Sequence, residues 1–124
     1  MKAVVIDDSR AMRAILARML RDIGFEVTEA EDGLAALEVL KGPALFDLAL
    51  VDWNMPGMDG LQVVQALRAD QRLNEMRIMM VTTETEIDRV VRALEAGANE
   101  YLMKPFTAEA VTEKLALLGL WEAA

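Results

Sequence analysis

Short runs of consecutive apolar residues alternate along this chain with longer segments in which apolar residues recur every three or four positions. Uninterrupted apolar runs occupy 3–6, 48–51 and 78–81. Such runs are typical of strands that helices cover on both faces of a parallel sheet. Weaker strand signals lie at 25–30 and 100–103. The pattern therefore predicts five strands.

A helix is predicted after each strand. The stripes of apolar residues at helical spacing lie at 12–23, 34–40, 61–67, 87–94 and 111–118. Residues suited to capping the starts of helices are Ser9, Asp32, Asp59 and Thr107. Glycines suited to ending helices in left-handed backbone are Gly24, Gly42 and Gly97. These capping residues and glycines mark where the predicted helices begin and end.

The order of elements is that of a doubly wound α/β fold, in which a strand and a helix alternate five times. We expect one domain over residues 1–124, with a five-stranded parallel sheet in the order 2-1-3-4-5 and helices on both faces. In this order the ligand crevice lies between strands 1 and 3, where the chain reverses direction across the sheet.

Composition excludes several kinds of chemistry. The chain has 13 Lys and Arg against 21 Asp and Glu, a formal charge of -8, and no basic run; we therefore expect no nucleic-acid binding. It contains no Cys and no His, which leaves no thiolate or imidazole for metal binding or acid–base catalysis. No apolar stretch resembles a signal peptide or a membrane span. We expect a cytoplasmic protein with no membrane association.

Five polar residues follow four of the predicted strands. Asp7 and Asp8 follow the first strand, Asp52 the third, Thr82 the fourth and Lys104 the fifth. The carboxyl ends of parallel strands share one edge, so these side chains could meet, although acids after strands are more often ordinary loop or cap residues. Two like charges about 4 Å apart repel by roughly 4 kcal/mol at an effective dielectric of 20. A bound divalent cation would offset this repulsion, and a site whose ligands are all oxygen atoms favours Mg²⁺ or Mn²⁺. An aspartate at such a site could accept a phosphoryl group.

Four segments together resemble the receiver domain of response regulators. They are Ile-Asp-Asp-Ser-Arg at 6–10, Val-Asp-Trp-Asn-Met-Pro-Gly-Met-Asp-Gly at 51–60, Val-Thr-Thr-Glu at 81–84 and Lys-Pro-Phe at 104–106. The resemblance spans essentially the whole chain and is strongest to the single-domain CheY-type chemotaxis regulators. It implies a flavodoxin-like fold and a cis Lys104–Pro105 bond, whereas base rates alone favour trans.

The resemblance assigns roles to the acidic residues. Asp52 matches the phosphoacceptor of the family. Asp8 and the backbone carbonyl of Asn54 match direct Mg²⁺ ligands beside Asp52, and Asp7 matches a ligand that acts mainly through water. The resemblance thus implies a Mg²⁺-dependent phosphorylation site.

Further roles follow for residues around that site. Thr82 and Lys104 match the contacts to the phosphoryl oxygens. Asn54 and Glu84 match positions that modulate hydrolysis of the acyl phosphate. Tyr101 matches the switch aromatic, which moves into the space left when Thr82 is drawn towards the phosphoryl group. The surface of the fourth helix, fifth strand and fifth helix would then be remodelled for partner binding.

The resemblance implies two protein partners. The donor would be a phosphohistidine on a CheA-like sensor histidine kinase, and this chain, having no His, would be the receiver. The downstream target would belong to a motility or chemosensory pathway. The turn at 85–89 has no Lys, whereas enteric chemotaxis proteins are basic there, so the choice between a flagellar motor and another target stays open. We expect a monomer.

Two alternatives remain beside a stand-alone signalling module that is not a conventional enzyme. The chain could be the receiver part of a longer regulator or hybrid kinase. It could also be a phosphohydrolase of the haloacid dehalogenase class, which likewise uses Asp and Mg²⁺. That class requires two Asp separated by one residue after strand 1, whereas Asp7 and Asp8 are adjacent.

Overall fold

A computed structural model describes residues 1–83 and 87–122 of the chain. Strands and helices alternate in it as the sequence predicts. The strands are β1 (Lys2–Ile6), β2 (Glu26–Ala30), β3 (Leu48–Asp52), β4 (Arg77–Thr83) and β5 (Glu100–Lys104). The α-helices are α1 (Arg10–Asp22), α2 (Gly33–Leu40), α3 (Gly60–Ala69), α4 (Ile87–Ala96) and α5 (Ala108–Leu117). A short 3₁₀ turn at Gln71–Leu73, which the sequence pattern did not indicate, follows α3.

The five strands form one parallel sheet in the order β2-β1-β3-β4-β5. This confirms the predicted doubly wound, flavodoxin-like fold. Successive side chains of a strand point to opposite faces, and on the inner strands both faces are buried. Val4 and Ile6 pack towards α2, α3 and α4, whereas Ala3 and Val5 pack towards α1 and α5. The uninterrupted apolar runs therefore supply two cores at once.

Side chains cap four of the helices where the sequence places them. The hydroxyls of Ser9 and Thr107 and the carboxylates of Asp32 and Asp59 accept backbone N–H groups three residues later. These bonds satisfy donors that the first helical turn leaves free. They also fix where each loop at the carboxyl edge of the sheet becomes a helix.

Two of the three predicted helix-ending glycines have left-handed backbone. Gly24 (φ 105°) and Gly97 (φ 122°) follow α1 and α4. The expectation for Gly42 is wrong, because its φ is not positive. After α2 the chain continues through Lys41 in right-handed conformation, and the N–H groups of Lys41 and Gly42 bond back to Leu37 and Val39. This turn needs no left-handed residue.

Within the described residues, every helix is too short or too polar to cross a lipid bilayer.

Candidate functional site

The acidic residues meet at the carboxyl ends of β1 and β3. Ile6 and Val51 are partners in the parallel register, so the next residues, Asp7 and Asp52, lie side by side as both strands end. Each of Asp7, Asp8 and Asp52 offers a carboxylate oxygen that lies within 4.8 Å of those of the other two. The structure thus brings together three predicted site residues from two strand ends at the crevice of the doubly wound sheet.

Burial and mutual repulsion both oppose ionisation of this cluster. Asp7 is 1% exposed and Asp52 is 7% exposed, whereas Asp8 faces solvent. Burial, and then the negative charge of Asp7, raise the pKa of Asp52 to about 6. Burial also raises the pKa of Asp7, although a hydrogen bond from the Ser9 N–H to its carboxylate works in the opposite direction. The cluster carries negative charge that the fold does not fully compensate.

One carboxylate oxygen of the cluster receives no hydrogen bond from the described part of the chain. Among the described side chains, Asp7 Oδ2 is a buried oxygen without a hydrogen bond. Buried acceptors are normally satisfied, and three converging carboxylates repel one another, so both features fit a bound divalent cation. Because every donor is an oxygen, the set suits Mg²⁺ or Mn²⁺ better than Zn²⁺. The residues present therefore fit the predicted metal.

The side chain of Lys104 reaches the acidic cluster from β5. Lys104 ends β5, and its ammonium group lies 3.1 Å from Asp52 Oδ1. Thr82 is buried near the end of β4, one residue beyond Val81, the register partner of Asp52. The Lys104–Pro105 bond is cis, as the resemblance implied. Lys104 thus contacts Asp52 from β5, while Thr82 is buried on β4, the strand beside β3, where its hydroxyl donates to the carbonyl of Thr83 at 3.3 Å.

A glycine lets α3 begin directly against this edge. A Cβ atom on Gly60 would lie 2.9 Å from the carbonyl oxygen of Asp52 and 3.0 Å from Cα of Trp53. The N–H of Gly60 donates to the carbonyl of Trp53 at 2.9 Å. Any side chain at position 60 would push α3 away from the end of β3, so Gly60 is part of what shapes the site.

Of the remaining predicted site residues, the structure describes Asn54 and Tyr101. Asn54 lies two residues after Asp52 in the β3–α3 loop and is exposed. Tyr101 is half-buried on β5, where it is the register partner of Met80. Thr82 is two residues from Met80 on β4, so Thr82 and Tyr101 share one face of the sheet. Glu84 lies outside the described residues.

An arginine that no sequence pattern singled out supports the acidic loop. Arg13, on α1, donates from Nη1 to the backbone carbonyl of Asp7 at 2.8 Å, and its Nε lies 3.2 Å from a Glu29 carboxylate oxygen on β2. The signal available was a basic residue four positions after the N-cap Ser9, on the helix that begins beside the acids. Only the fold shows that its side chain turns back to the loop.

Replacing Arg13 with Met should weaken Mg²⁺ binding by about 10-fold, because the loop that carries Asp7 and Asp8 loses its fixed carbonyl contact. Trp53, buried beside Asp52, provides the fluorescence readout in a Trp121→Phe background. Arg21→Met is the matched control, since Arg21 also approaches Glu29, at 3.9 Å, from the same helix. Equal Mg²⁺ affinity in Arg13→Met and Arg21→Met would show that the Asp7 contact has no part in metal binding.

Known proteins resemble this chain over most of its length. The family model described as response regulator receiver domain matches residues 3–116. The chemotaxis protein CheY of Pseudomonas aeruginosa is 46% identical over 116 residues, which cover 93% of each chain. The chemotaxis protein CheY-3 of Vibrio cholerae is 45% identical, with 93% of this chain and 88% of the relative covered.

Solved structures agree with the sequence comparisons. The structure of the Vibrio cholerae chemotaxis protein CheY4 superposes with a TM-score of 0.87 at 35% identity, and the match covers 94% of this chain and 97% of the other. A two-component response regulator with a GGDEF domain superposes with a TM-score of 0.90 at 30% identity, and there the match covers 97% of this chain but 50% of the other. The same fold thus occurs both in chains of this length and as half of a longer one.

Proposed function

The chain belongs to the response-regulator receiver family, and we propose that it receives a phosphoryl group on Asp52 from a sensor histidine kinase. It is a CheY-like signalling protein and not a conventional enzyme. The observation that carries the proposal is the acidic cluster of Asp7, Asp8 and Asp52 at the strand ends, with the Lys104 ammonium group against Asp52.

The proposed reaction makes Asp52 the nucleophile. A carboxylate oxygen of Asp52 forms a bond to phosphorus, while the bond from phosphorus to the donor histidine nitrogen breaks and returns its electron pair to that nitrogen. At neutral pH the carboxylate is mostly ionised even with its pKa at about 6, so it can attack. In this proposal Lys104 and Thr82 contact the transferred oxygens, one as a cation and one as a hydroxyl donor.

The residues that would hold Mg²⁺ are Asp7, Asp8, Asp52 and the backbone carbonyl of Asn54. When bound, the ion would neutralise negative charge that develops on the phosphoryl group during transfer. The buried Oδ2 of Asp7, which has no hydrogen bond from any described residue, and the repulsion within the cluster support this assignment. Asn54 and Glu84 remain the proposed modulators of hydrolysis.

We assign the output to the surface formed by α4, β5 and α5. The phosphoryl group would carry about 1.5 to 2 negative charges in place of the single charge of the Asp52 carboxylate, attract the Thr82 hydroxyl and allow the ring of Tyr101 to move on the same sheet face. The helices of this surface carry exposed apolar side chains, Val91 and Leu94 on α4 and Leu117 on α5, which a partner bound to these helices would cover. The proposed target is a motility or chemosensory protein in the cytoplasm.

A phosphorylation assay tests the acceptor. Wild-type protein incubated with Mg²⁺ and acetyl phosphate should gain the mass of one phosphoryl group, and the gain should survive acid and be lost in base. Asp52→Asn should gain no more than a Mg²⁺-free reaction. Asp22→Asn, which changes an exposed aspartate at the end of α1, should be labelled like the wild type. Full labelling of Asp52→Asn would refute the assignment.

A receiver that works inside a longer regulator is the second candidate. The GGDEF-containing regulator, of which the match covers half, is the observation that favours it. The sequence of the complete gene decides between the two, because an appended output domain would replace a separate target protein.

A further inference from the structure

Lys114 of α5 contacts the ring of Tyr101. Its Nζ lies 4.2 Å from the ring centroid, well inside the distance of about 6 Å at which a cation is attracted to an aromatic face. The same nitrogen lies 2.9 Å from Oε1 of Glu100. The ammonium group is therefore held between a carboxylate and an aromatic ring.

Glu100 connects this contact to the strand backbone. Its Oε1 accepts a hydrogen bond from the backbone N–H of Tyr101 at 3.0 Å as well as the one from Lys114. The neighbouring residues Val111 and Leu115 are buried in the core between α5 and the sheet, which fixes the turn of α5 that carries Lys114. Carboxylate, ammonium group and ring thus form one cluster on the edge strand β5.

The cluster is partly shielded from water. The side chains of Lys114 and Glu100 are 25% and 20% exposed. The exposed pair Lys41–Glu38, by comparison, has side chains 71% and 76% exposed. Ion pairs at the exposed end of this range contribute little, because solvent and salt screen them. The Lys114–Glu100 pair is screened less and can hold the ammonium group in place.

We propose that Lys114 is a positioning residue for the switch: anchored by Glu100, it holds the Tyr101 ring at the edge between α4 and α5. This inference rests on the proposed role of Tyr101 as the switch aromatic. Any movement of the ring along the sheet face towards Thr82 must first break the contact with the ammonium group. Lys114 therefore opposes the movement and raises the concentration of phosphoryl group, or of its mimic, at which the ring moves.

Fluorine NMR tests this directly, because Tyr101 is the one tyrosine of the chain and fluorotyrosine labelling gives a single reporting residue. Lys114→Gln should shift its resonance before any addition. Titration with beryllofluoride and Mg²⁺, a mimic of the phosphoryl group, should then move the resonance at a midpoint about two- to fivefold lower than in the wild type. Lys114→Arg, which keeps the cation, should restore most of the wild-type midpoint. Lys41→Gln, the same change in the exposed pair, should leave both quantities unchanged.

The outcomes separate the two levels of the proposal. A wild-type resonance that ignores beryllofluoride and Mg²⁺ would overturn the switch role of Tyr101, and with it the proposed function of this residue. A responsive wild type with an unshifted Lys114→Gln resonance would overturn the contact in solution. A shifted resonance with an unchanged midpoint would reduce Lys114 to a local structural contact and overturn its positioning role.

Discussion

Asp52→Asn is expected to be more stable than the wild-type protein at pH 8 without Mg²⁺, by up to roughly 3 kcal/mol in the free energy of unfolding. The reason is the electrostatic cost of the site. The pKa of Asp52 is about 6 in the folded protein, against an ordinary value of 3.8 for an aspartate side chain. The unfolded chain therefore releases this proton more easily than the folded one does. Asparagine has nearly the same shape and carries no charge.

Because folding raises the pKa of Asp52, the stability difference between the two proteins depends on pH in a defined direction. A group whose pKa is raised by folding contributes stability that is fully present below the unfolded value of 3.8 and is lost as the pH rises through about 6. Wild type and Asp52→Asn should therefore be about equally stable at the acid end of this window. The difference should grow between about pH 4 and pH 7 and then stay constant. Urea unfolding in the presence of a chelator, at several pH values, measures it.

Two controls isolate the cause of this difference. Asp22→Asn removes an exposed carboxylate and should change stability by no more than about 0.5 kcal/mol at any pH. Mg²⁺ should stabilise the wild type at pH 8 more than Asp52→Asn, because the ion binds the folded site and relieves the same repulsion. An Asp52→Asn variant no more stable than wild type at pH 8 would show that Lys104 already compensates the charge of Asp52.

The buried parts of the fold were predictable because burial leaves a pattern in the sequence. β1, β3 and β4 are covered on both faces, and each appears as an uninterrupted apolar run. The edge strands β2 and β5 gave weak signals for a physical reason: one side of an edge strand has no neighbouring strand, and polar residues such as Glu26 and Glu100 are tolerated there. Capping side chains act within three residues, so local sequence was enough to locate the starts of four helices.

The candidate site was predictable for a similar reason. The carboxyl ends of all strands in a parallel sheet lie along the same side of the sheet. The sequence alone could therefore place Asp7, Asp52 and Lys104 close together. Contacts made by long side chains could not be placed in this way. Arg13 reaches the carbonyl of Asp7, and Lys114 reaches Tyr101 on another element. Neither direction is encoded in a local pattern.

Arg68 makes the largest set of such contacts, and it lies at the amino ends of the strands, opposite the acidic cluster. From the last turn of α3 its guanidinium group donates to the backbone carbonyls of Leu73, Met76 and Gly97 and to Oδ1 of Asn99, at 2.7 to 3.0 Å. These acceptors lie in the turns that lead into β4 and β5. A Cβ atom at Gly97 would lie 2.6 Å from Cγ of Arg68, so the glycine that ends α4 also makes room for the arginine.

Arg68→Met is expected to lower the free energy of unfolding by about 3 to 5 kcal/mol. Methionine replaces the aliphatic part of the side chain but none of its donors, and three part-buried carbonyls lose a charge-assisted bond. Arg18→Met, the same change at an exposed position of α1, should stay within about 0.5 kcal/mol of the wild type. Urea unfolding of both variants at one pH provides the measurement.

The rate of phosphorylation shows whether Arg68 only stabilises the fold or also affects the acidic site. Arg68 holds the turns that precede β4 and β5, whereas the acidic cluster lies beyond the other ends of the strands. Arg68→Met should therefore be labelled by acetyl phosphate as fast as the wild type at temperatures where both proteins are folded. A loss of stability below about 1 kcal/mol would mean that water replaces the guanidinium group at these carbonyls. Slow labelling of a fully folded variant would mean instead that the turns transmit their position along β4 and β5 to Thr82 and Lys104.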